Sequence, residues 1–351
     1  MNLKIYLLGA FCLLAPYVAS AQQTETEATE TVIDEGEIEY ASPSVLGTGR
    51  GKGLVIGYER LPQFDIDSES DNPAVGNGNS RVRRFNQFFL KVNAPVVNKP
   101  RTKVVVGFDY EFEEYNFENV NSGSYSLYEN LEDKNLKSIG AQVVFLRSLN
   151  EKNFYLVRLK GELNGDYTRD NINTTDYLRT TIDVGYGWKK SPYFAWGVGF
   201  QIGYNFGRRS IYPAIIYNRT YNDKWGVEAI FPANVKVRYN VSDKTLLYAG
   251  YRLEGASYNL SVQDEPLSQF GNIELRRTDV KAQLRLEQEI YDFLWFGVEG
   301  GFRQNYRNRV FDEIGSRDEL IINDIAGAGY VSVELFIVPP RAMLDKSRKR
   351  R

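Results

Sequence analysis

Large apolar residues alternate with small or polar residues over positions 193–206 of the chain. A period of two is the pattern of a β-strand, in which successive side chains point to opposite faces. Strands of soluble proteins usually run about 5–6 residues, whereas this segment is longer and has aromatic residues near both ends. An outward apolar row with aromatic girdles, backed by small residues, is typical of a strand in an outer-membrane β-barrel. The predicted lipid-facing girdle consists of Phe194, Trp196, Phe200, Tyr204 and Phe206.

The same alternation recurs along the chain from Gly51, and the connections between the alternating segments are sorted by length. Long polar loops, as at 62–80 and 116–134, alternate with short turns, as at 150–153. In bacterial barrels the long loops are extracellular and the short turns periplasmic. The pattern predicts an all-β fold, a transmembrane antiparallel up-and-down β-barrel of about fourteen strands over residues 51–338. Pro232 is expected to split the segment 225–240 into two short strands, because proline interrupts a ladder; twelve strands result if these middle strands do not span.

The two ends of the chain differ from the barrel in composition. Lys4, an apolar run and the small residues Ala19-Ser20-Ala21 form the pattern of a cleaved signal peptide over residues 1–21. Cys12 would suit a lipoprotein signal, but the bulky Phe11 precedes it, so an ordinary signal is expected. Residues 22–50 are acidic and aperiodic, which predicts a flexible periplasmic leader, and residues 339–351 form a basic periplasmic tail. No segment approaches the length of a transmembrane helix, and the predicted location is the bacterial outer membrane.

The residue types present argue against several kinds of chemistry. The chain has no histidine, so it cannot build a Ser-His catalytic centre or a His-ligated metal site. The acidic segment 65–71 offers oxygen ligands but lacks the spacing of an EF-hand, and a solvated loop is the favoured interpretation. The chain is therefore not expected to be an enzyme, and no catalytic residue, metal site or cofactor is predicted.

The face opposite the apolar row carries charged side chains on many strands. Strand alternation places about as many positive as negative charges on this inner face, whereas an ion-selective channel would show an excess of one sign. The balance leaves open whether the lumen is a wide, weakly selective pore or is filled by ion pairs. The candidate lumen-lining residues are Lys103, Asp109, Glu111, Glu113, Arg158, Lys160, Glu162, Arg179, Asp183, Lys236, Arg238, Arg252, Lys281, Arg285 and Glu299.

Residues 213–258 resemble an uncharacterised family of bacterial outer-membrane β-barrels, a domain of unknown function common in Bacteroidota. The resemblance rests on Pro213-Ala-Ile-Ile-Tyr-Asn-Arg219, Asn222-Asp-Lys-Trp225, Phe231-Pro232, Tyr239, Ser242-Asp-Lys244, Gly250, Gly255 and Tyr258. It implies architecture and location, and it implies no activity and no catalytic residues.

A barrel of this size encloses more than side chains, so the leading functional hypothesis is passive or facilitated passage of small solutes. One alternative is a structural or surface-interaction barrel with a plugged, ion-paired lumen and working extracellular loops. The second alternative is a transporter of hydrophobic compounds, which the charged lumen disfavours. Expected partners are outer-membrane lipid and, during biogenesis, the barrel assembly machinery. The chain is expected to be a monomer and not to bind nucleic acid, and no solute or surface partner is identified.

Overall fold

A computed structural model describes residues 40–120, 124–168, 174–205, 208–262 and 265–343. The predicted signal peptide, residues 22–39 of the predicted leader and residues 344–351 of the predicted tail lie outside the described residues, as does Phe206. Among the described residues, no helix is long and apolar enough to cross a membrane.

Most of the described chain is β-strand, in one sheet. The strands are β1 (Leu54–Leu61), β2 (Phe64–Glu69), β3 (Gly78–Lys99), β4 (Thr102–Phe117), β5 (Leu136–Ser148), β6 (Asn153–Gly165), β7 (Leu178–Ser191), β8 (Phe194–Asn205), β9 (Arg208–Thr220), β10 (Trp225–Phe231), β11 (Asn234–Ser242), β12 (Thr245–Ser261), β13 (Asn272–Tyr291), β14 (Leu294–Phe311), β15 (Glu319–Ile325) and β16 (Ala328–Ile337). Two α-helices, α1 (Ser126–Asp133) and α2 (Thr174–Tyr177), and a 3-10 helix (Leu267–Phe270) lie in the connections.

The sheet closes into an antiparallel barrel with fourteen wall strands. Strands β1 and β2 both pair with β3 and together form one wall strand, and β15 and β16 both pair with β14 and form another. The barrel closes where β1 pairs with β16 and β2 pairs with β15. The predicted fold class and strand number are confirmed, including the division at Pro232 between β10 and β11.

The two faces of the wall differ in chemistry, as the alternation predicts. On β8 the side chains of Val198 and Phe200 are 44% and 45% exposed on the outer face, whereas Gln201 on the inner face is 1% exposed. An aromatic belt marks the outer face near the short turns. It includes the stacked rings of Trp188 and Trp196, whose centroids are 4.5 Å apart, and the pair Trp225 and Tyr239.

The β10–β11 hairpin is much shorter than its neighbours and leaves a gap in the wall. Strand β10 pairs with β9 only as far as Phe231 opposite Ile215, and β11 pairs with β12 only as far as Asn234 opposite Arg252. Strands β9 and β12 both continue toward the long loops beyond the hairpin tip. The gap is closed from inside the barrel, because the upper end of β12 meets β6, where Asn259 lies opposite Gly165. At the hairpin tip, apolar residues of β9, β10 and the turn form a buried cluster, namely Tyr212, Ile216, Ile230 and Ala233.

The upper ends of β12 and β13 turn inward beside this gap. By strand alternation Ser257 and Glu274 belong to the outer face, yet their side chains are 2% and 0% exposed. Arg179, on the inner face of β7, donates to the Ser257 hydroxyl at 3.2 Å and forms an ion pair with Glu274 at 3.4 Å. The outer face of the β12–β13 end therefore packs against the inner face of β7, instead of facing outward.

The long-loop end of the barrel is filled by an apolar core that includes α1. The sequence predicts a long polar loop at 116–134, but Leu127, Tyr128 and Leu131 of α1 are buried in a cluster of 25 described residues inside the wall. These positions share one face of the helix, which explains why it docks. The Tyr128 hydroxyl contacts Ser68 Oγ at 2.7 Å and donates to the Gly78 carbonyl at 3.0 Å. Helix α1 is therefore a plug inside the barrel and not an exposed loop.

Residues 40–50, which we call the N-terminal strap, run along the opposite mouth. Ala41 N donates to the Asn150 carbonyl, and Leu46 N donates to the Pro192 carbonyl. Asn240 Nδ2 donates to the Gly47 carbonyl at 3.0 Å, so the strap meets one short turn after another. This part of the predicted flexible leader is packed against the barrel.

Candidate functional site: the charged lumen

Between the apolar core at the long-loop end and the N-terminal strap lies a layer of buried charges, which we call the charged layer. Its side chains come from the inner rows of most wall strands. Removing an ion from water costs several kcal/mol, so each charge here needs partners. Ion pairs between these side chains offset that cost.

The densest group of ion pairs lies between β1, β12, β13 and β14. Arg252 contacts three carboxylates, those of Glu59, Glu254 and Glu299, and Lys281 pairs with Glu59 and Glu254. Two cations thus share three carboxylates in one network.

A second group lies closer to the short turns. Arg285 pairs with Glu287, Glu299 and Glu334. Lys52, just before β1, reaches Glu287 at 2.8 Å and Glu334 at 3.2 Å. Sequence reasoning missed Lys52 because it precedes the first strand, where the inner and outer rows are not yet defined.

Other ion pairs lie on the β4–β7 part of the wall and across the lumen. Lys160 on β6 bridges Asp109 at 3.2 Å and Glu162 at 2.7 Å, and the Arg158 guanidinium contacts Asp183 on β7. A further ion pair bridges two walls that are far apart in the sheet order. In that pair, Arg277 of β13 binds Glu113 of β4.

The β10–β11 hairpin carries one strong pair and one weak pair. Arg238 donates to Glu228 at 2.7 Å, whereas Lys236 Nζ lies 3.9 Å from the same carboxylate. Among the described residues, the Lys236 ammonium has no hydrogen-bond partner. The Lys236 side chain is 14% exposed and faces an internal cavity.

This cavity, of about 180 Å³, lies in the charged layer. Its lining extends from Arg50 at the strap to Ala256 and Arg277 below the apolar core. Lys91, Glu111, Lys236 and Glu254 are among the side chains that border it. Charged side chains make up most of its lining, beside apolar residues such as Val55, Phe89 and Ala256, so the cavity suits hydrated or charged solutes.

The structure places the predicted lumen residues as follows. Most lie buried or half-buried on inner rows and take part in the ion pairs above, while Lys103 lies apart from them, near the short turns and beside the strap end. Arg179 is on an inner row but contacts the inward-turned end of β12–β13. The residues that line the cavity of the charged layer are Glu111, Glu113, Lys236, Arg252, Arg285 and Glu299. Those that are buried outside its lining are Asp109, Arg158, Lys160, Glu162, Arg179, Asp183, Arg238 and Lys281.

The predicted girdle residues that the structure describes lie on the outer row of β8. Phe194 and Trp196 are half-buried in the aromatic belt near the short turns, and Phe200 is exposed further along the strand. For Tyr204 the structure describes only the backbone, within β8.

Sequence reasoning also missed Glu274 and Arg276. They occupy the outer row of β13 by alternation, yet they form a buried ion pair at 2.7 Å. Two charged residues on a nominally lipid-facing row were the available signal, because such charges are costly in a bilayer.

A comparison with protein families gives one match over most of the chain. The family described as a domain of unknown function (DUF6268) matches residues 67–335. The chain belongs to this family. The expected family resemblance is confirmed to this extent, and no curated protein matches the chain in sequence.

Several solved outer-membrane proteins are distantly similar in structure. An outer membrane channel from Pseudomonas putida F1 is 11% identical with a TM-score of 0.37, and the match covers 88% of this chain and all of that one. A Pseudomonas aeruginosa FadL homologue is 9% identical with a TM-score of 0.36, covering 82% of this chain and 90% of that one. The NanC porin is 10% identical with a TM-score of 0.33, covering 79% of this chain and 100% of that one.

Proposed function

We propose that the protein is a bacterial outer-membrane channel for small polar solutes that is closed at rest by α1 and the N-terminal strap. The long loops are then extracellular and the short turns periplasmic. Because the sequence resembles a family that is common in Bacteroidota, the proposal includes a source in that phylum. No enzymatic activity is part of the proposal.

The observation that carries this proposal is the charged cavity beneath α1. A barrel that served only as a scaffold would be as stable with apolar residues in place of its buried ion pairs. Instead, the wall keeps charged side chains from the strap to the base of the plug, and these suit hydrated solutes. Helix α1 and the strap are not wall strands, so both can move without breaking the hydrogen bonds between the wall strands.

A second candidate function has its own support. The apolar core of 25 residues anchors α1 and the loop around the 3-10 helix, where Leu267 is fully buried. Loops fixed in this way would present a defined surface at the long-loop end, which suits the structural or surface-interaction barrel. A carrier of hydrophobic compounds through the lumen is disfavoured by the charged layer.

The test is single-channel conductance in a planar bilayer, with Leu127→Glu/Leu131→Glu as the variant that expels α1. The wild-type barrel should show rare, small openings, and the variant should show frequent, large ones with weak ion selectivity. Leu149→Glu adds a charge at an exposed turn position and should behave like the wild type. A variant that is inserted and folded but silent would contradict the channel and favour the surface-interaction barrel.

A further inference from the structure

Three arginines lie together on the outer face of the barrel, at its long-loop end. Arg60 is on β1, Arg83 and Arg84 are consecutive residues of β3, and all three side chains are exposed. Successive residues of a strand normally point to opposite faces, but the register of β3 against β4 shifts between Val82 and Arg84, which marks a bulge. Val82 and Phe85 are both buried on the inner face, so the two arginines between them share the outer face. We call Arg60, Arg83 and Arg84 the arginine patch.

The guanidinium groups of the arginine patch are close together and have no anionic partner in the protein. Arg60 lies opposite Asn86 of β3, and Arg84 is two positions from Asn86 along the same strand. Such diagonal neighbours are about 7–8 Å apart at the backbone, which allows both side chains to reach one anion. Over the described ranges of the chain, none of the three arginines forms a hydrogen bond or an ion pair.

Two carboxylates on neighbouring strands are engaged elsewhere. Asp65 of β2 pairs with Arg81 at 2.6 Å, and Glu114 of β4 accepts a hydrogen bond from Asn86 Nδ2 at 3.2 Å. Like charges placed side by side repel each other. The positive charge of the arginine patch is therefore available to an anion from outside the protein.

The arginine patch lies one step beyond a second aromatic row of the outer face. Tyr58, Phe88 and Phe112 are cross-strand neighbours on β1, β3 and β4, and Ile56 on the short-turn side of Tyr58 is 44% exposed. The next outward position of β1 after Tyr58 is Arg60. An aromatic girdle marks the boundary between hydrocarbon and head groups, so the arginine patch lies at the depth of the extracellular head groups. This step rests on the proposed membrane location and orientation.

A groove beside the arginine patch, further toward the long loops, suits sugar hydroxyl groups. Its lining includes Asp65, Asp67, Asn79, Arg81 and Glu118. Asp67 lies opposite Asn79, and both side chains are exposed. Carboxylates accept hydrogen bonds from hydroxyl groups and amides both donate and accept them, whereas carboxylates repel a phosphate. The outer face thus changes from cationic at head-group depth to hydroxyl-binding further out.

We propose that the arginine patch binds a phosphorylated glycolipid of the outer leaflet, the class of lipid to which lipopolysaccharide belongs. Its phosphate lies between Arg60 and Arg84, its sugars lie against the groove, and its acyl chains run along the apolar outer rows past Tyr58 and Phe88. Arginine suits this ligand because its planar fork makes paired, charge-assisted hydrogen bonds to phosphate oxygens. A phospholipid would occupy the arginine patch but would leave the hydroxyl-binding groove unused.

The test is native mass spectrometry of the full-length mature barrel in detergent micelles, titrated with diphosphoryl lipid A. We expect saturable binding of this lipid. Lipid A without its phosphates keeps the sugars and acyl chains and should bind about tenfold more weakly or worse. Phosphatidylglycerol, which has a phosphate but no sugar, should also bind more weakly, and inorganic phosphate should not displace the bound lipid A.

Variants assign the binding to the arginine patch. Arg60→Gln/Arg84→Gln should weaken binding about tenfold or more, because two cations are lost. Arg60→Lys/Arg84→Lys should keep part of the affinity, because the charge remains without the paired hydrogen bonds. Arg147→Gln/Arg219→Gln is the matched control, because it removes two exposed arginines from the ends of β5 and β9 near the short turns, and it should bind like the wild type.

Several results would overturn the proposal. Lipid A without phosphates could bind as tightly as the intact lipid, Arg60→Gln/Arg84→Gln could bind like the wild type, or the control variant could lose as much affinity. Equal affinity for phosphatidylglycerol would show a general site for anionic lipid, and displacement by inorganic phosphate would show a site for free phosphate. Either result would also exclude a glycolipid site.

The outcome is separable from that of the proposed channel. Binding is measured in micelles without any ionic current, so a silent barrel can still bind lipid A, and a conducting barrel can fail to bind it. Quenching of the tryptophans by brominated lipids tests the membrane location itself, and its result does not depend on the arginine patch.

Discussion

Glu113 on β4 and Arg277 on β13 form a two-point ion pair across the lumen, with donor–acceptor distances of 2.7 and 2.9 Å. Both side chains are almost fully buried. Breaking a buried pair by removing one partner typically costs about 3–5 kcal/mol, because the other charge is left without compensation. Glu113→Gln should therefore lower the free energy of unfolding by about that amount in urea titrations of the folded barrel.

The same argument predicts a different result when both charges are removed. Glu113→Leu with Arg277→Met should restore most of the lost stability, because an apolar pair of similar volume avoids the cost of desolvation. The exposed pair of Asp65 and Arg81 is the matched control, and Asp65→Asn should change stability by about 0–1 kcal/mol. A Glu113→Gln barrel as stable as the Asp65→Asn barrel would contradict the structural role of the pair.

The four tryptophans give a direct test of the membrane location. Trp188, Trp196 and Trp225 lie in the outer aromatic belt, whereas Trp295 is 4% exposed and packs inside the wall against Phe336. Single-tryptophan variants reconstituted in brominated lipids should show strong quenching at Trp196 and Trp225 and little at Trp295. Equal quenching of Trp196 and Trp295 would contradict the assignment of the outer face to lipid.

Strand alternation predicted the wall well and the interior less well, for physical reasons. A wall strand such as β8 has one apolar and one small or polar row, so its period can be read directly from the sequence. The plug could not be read in this way, because Leu127 and Leu131 gain their core only from distant strands. Likewise, Glu274 and Arg276 follow the alternation of β13, and only the inward turn of that strand buries both of its faces.

Tyr128 should hold α1 in the barrel through its hydroxyl as well as its ring. The hydroxyl is shared with Ser68 and the Gly78 carbonyl, and burial raises its pKa well above the usual range. Tyr128→Phe removes these hydrogen bonds but keeps the ring, so we expect a loss of about 0.5–1.5 kcal/mol and more frequent channel openings. Tyr193→Phe, at an exposed turn position, is the control and should leave both quantities unchanged.

The N-terminal strap should release at acidic pH through Asp292, in the turn between β13 and β14. Burial acts to raise the pKa of Asp292, but hydrogen bonds from Arg341 N and the Arg50 guanidinium outweigh it and hold the pKa below its ordinary value. A carboxyl with a depressed pKa stabilises the folded contact above its unfolded pKa of about 3.9. That contribution is lost as the pH falls through the lower, folded value.

A spin label at Thr48→Cys reports the release, because the mature chain without its predicted signal peptide has no other cysteine. The label should be immobile at neutral pH and gain mobility as the pH falls below about 4. Arg50 also pairs with Glu289, so Asp292→Asn is needed to separate the two acids, and it should weaken the pH-dependent step while the barrel stays folded. A step of unchanged size in Asp292→Asn would contradict the role of Asp292.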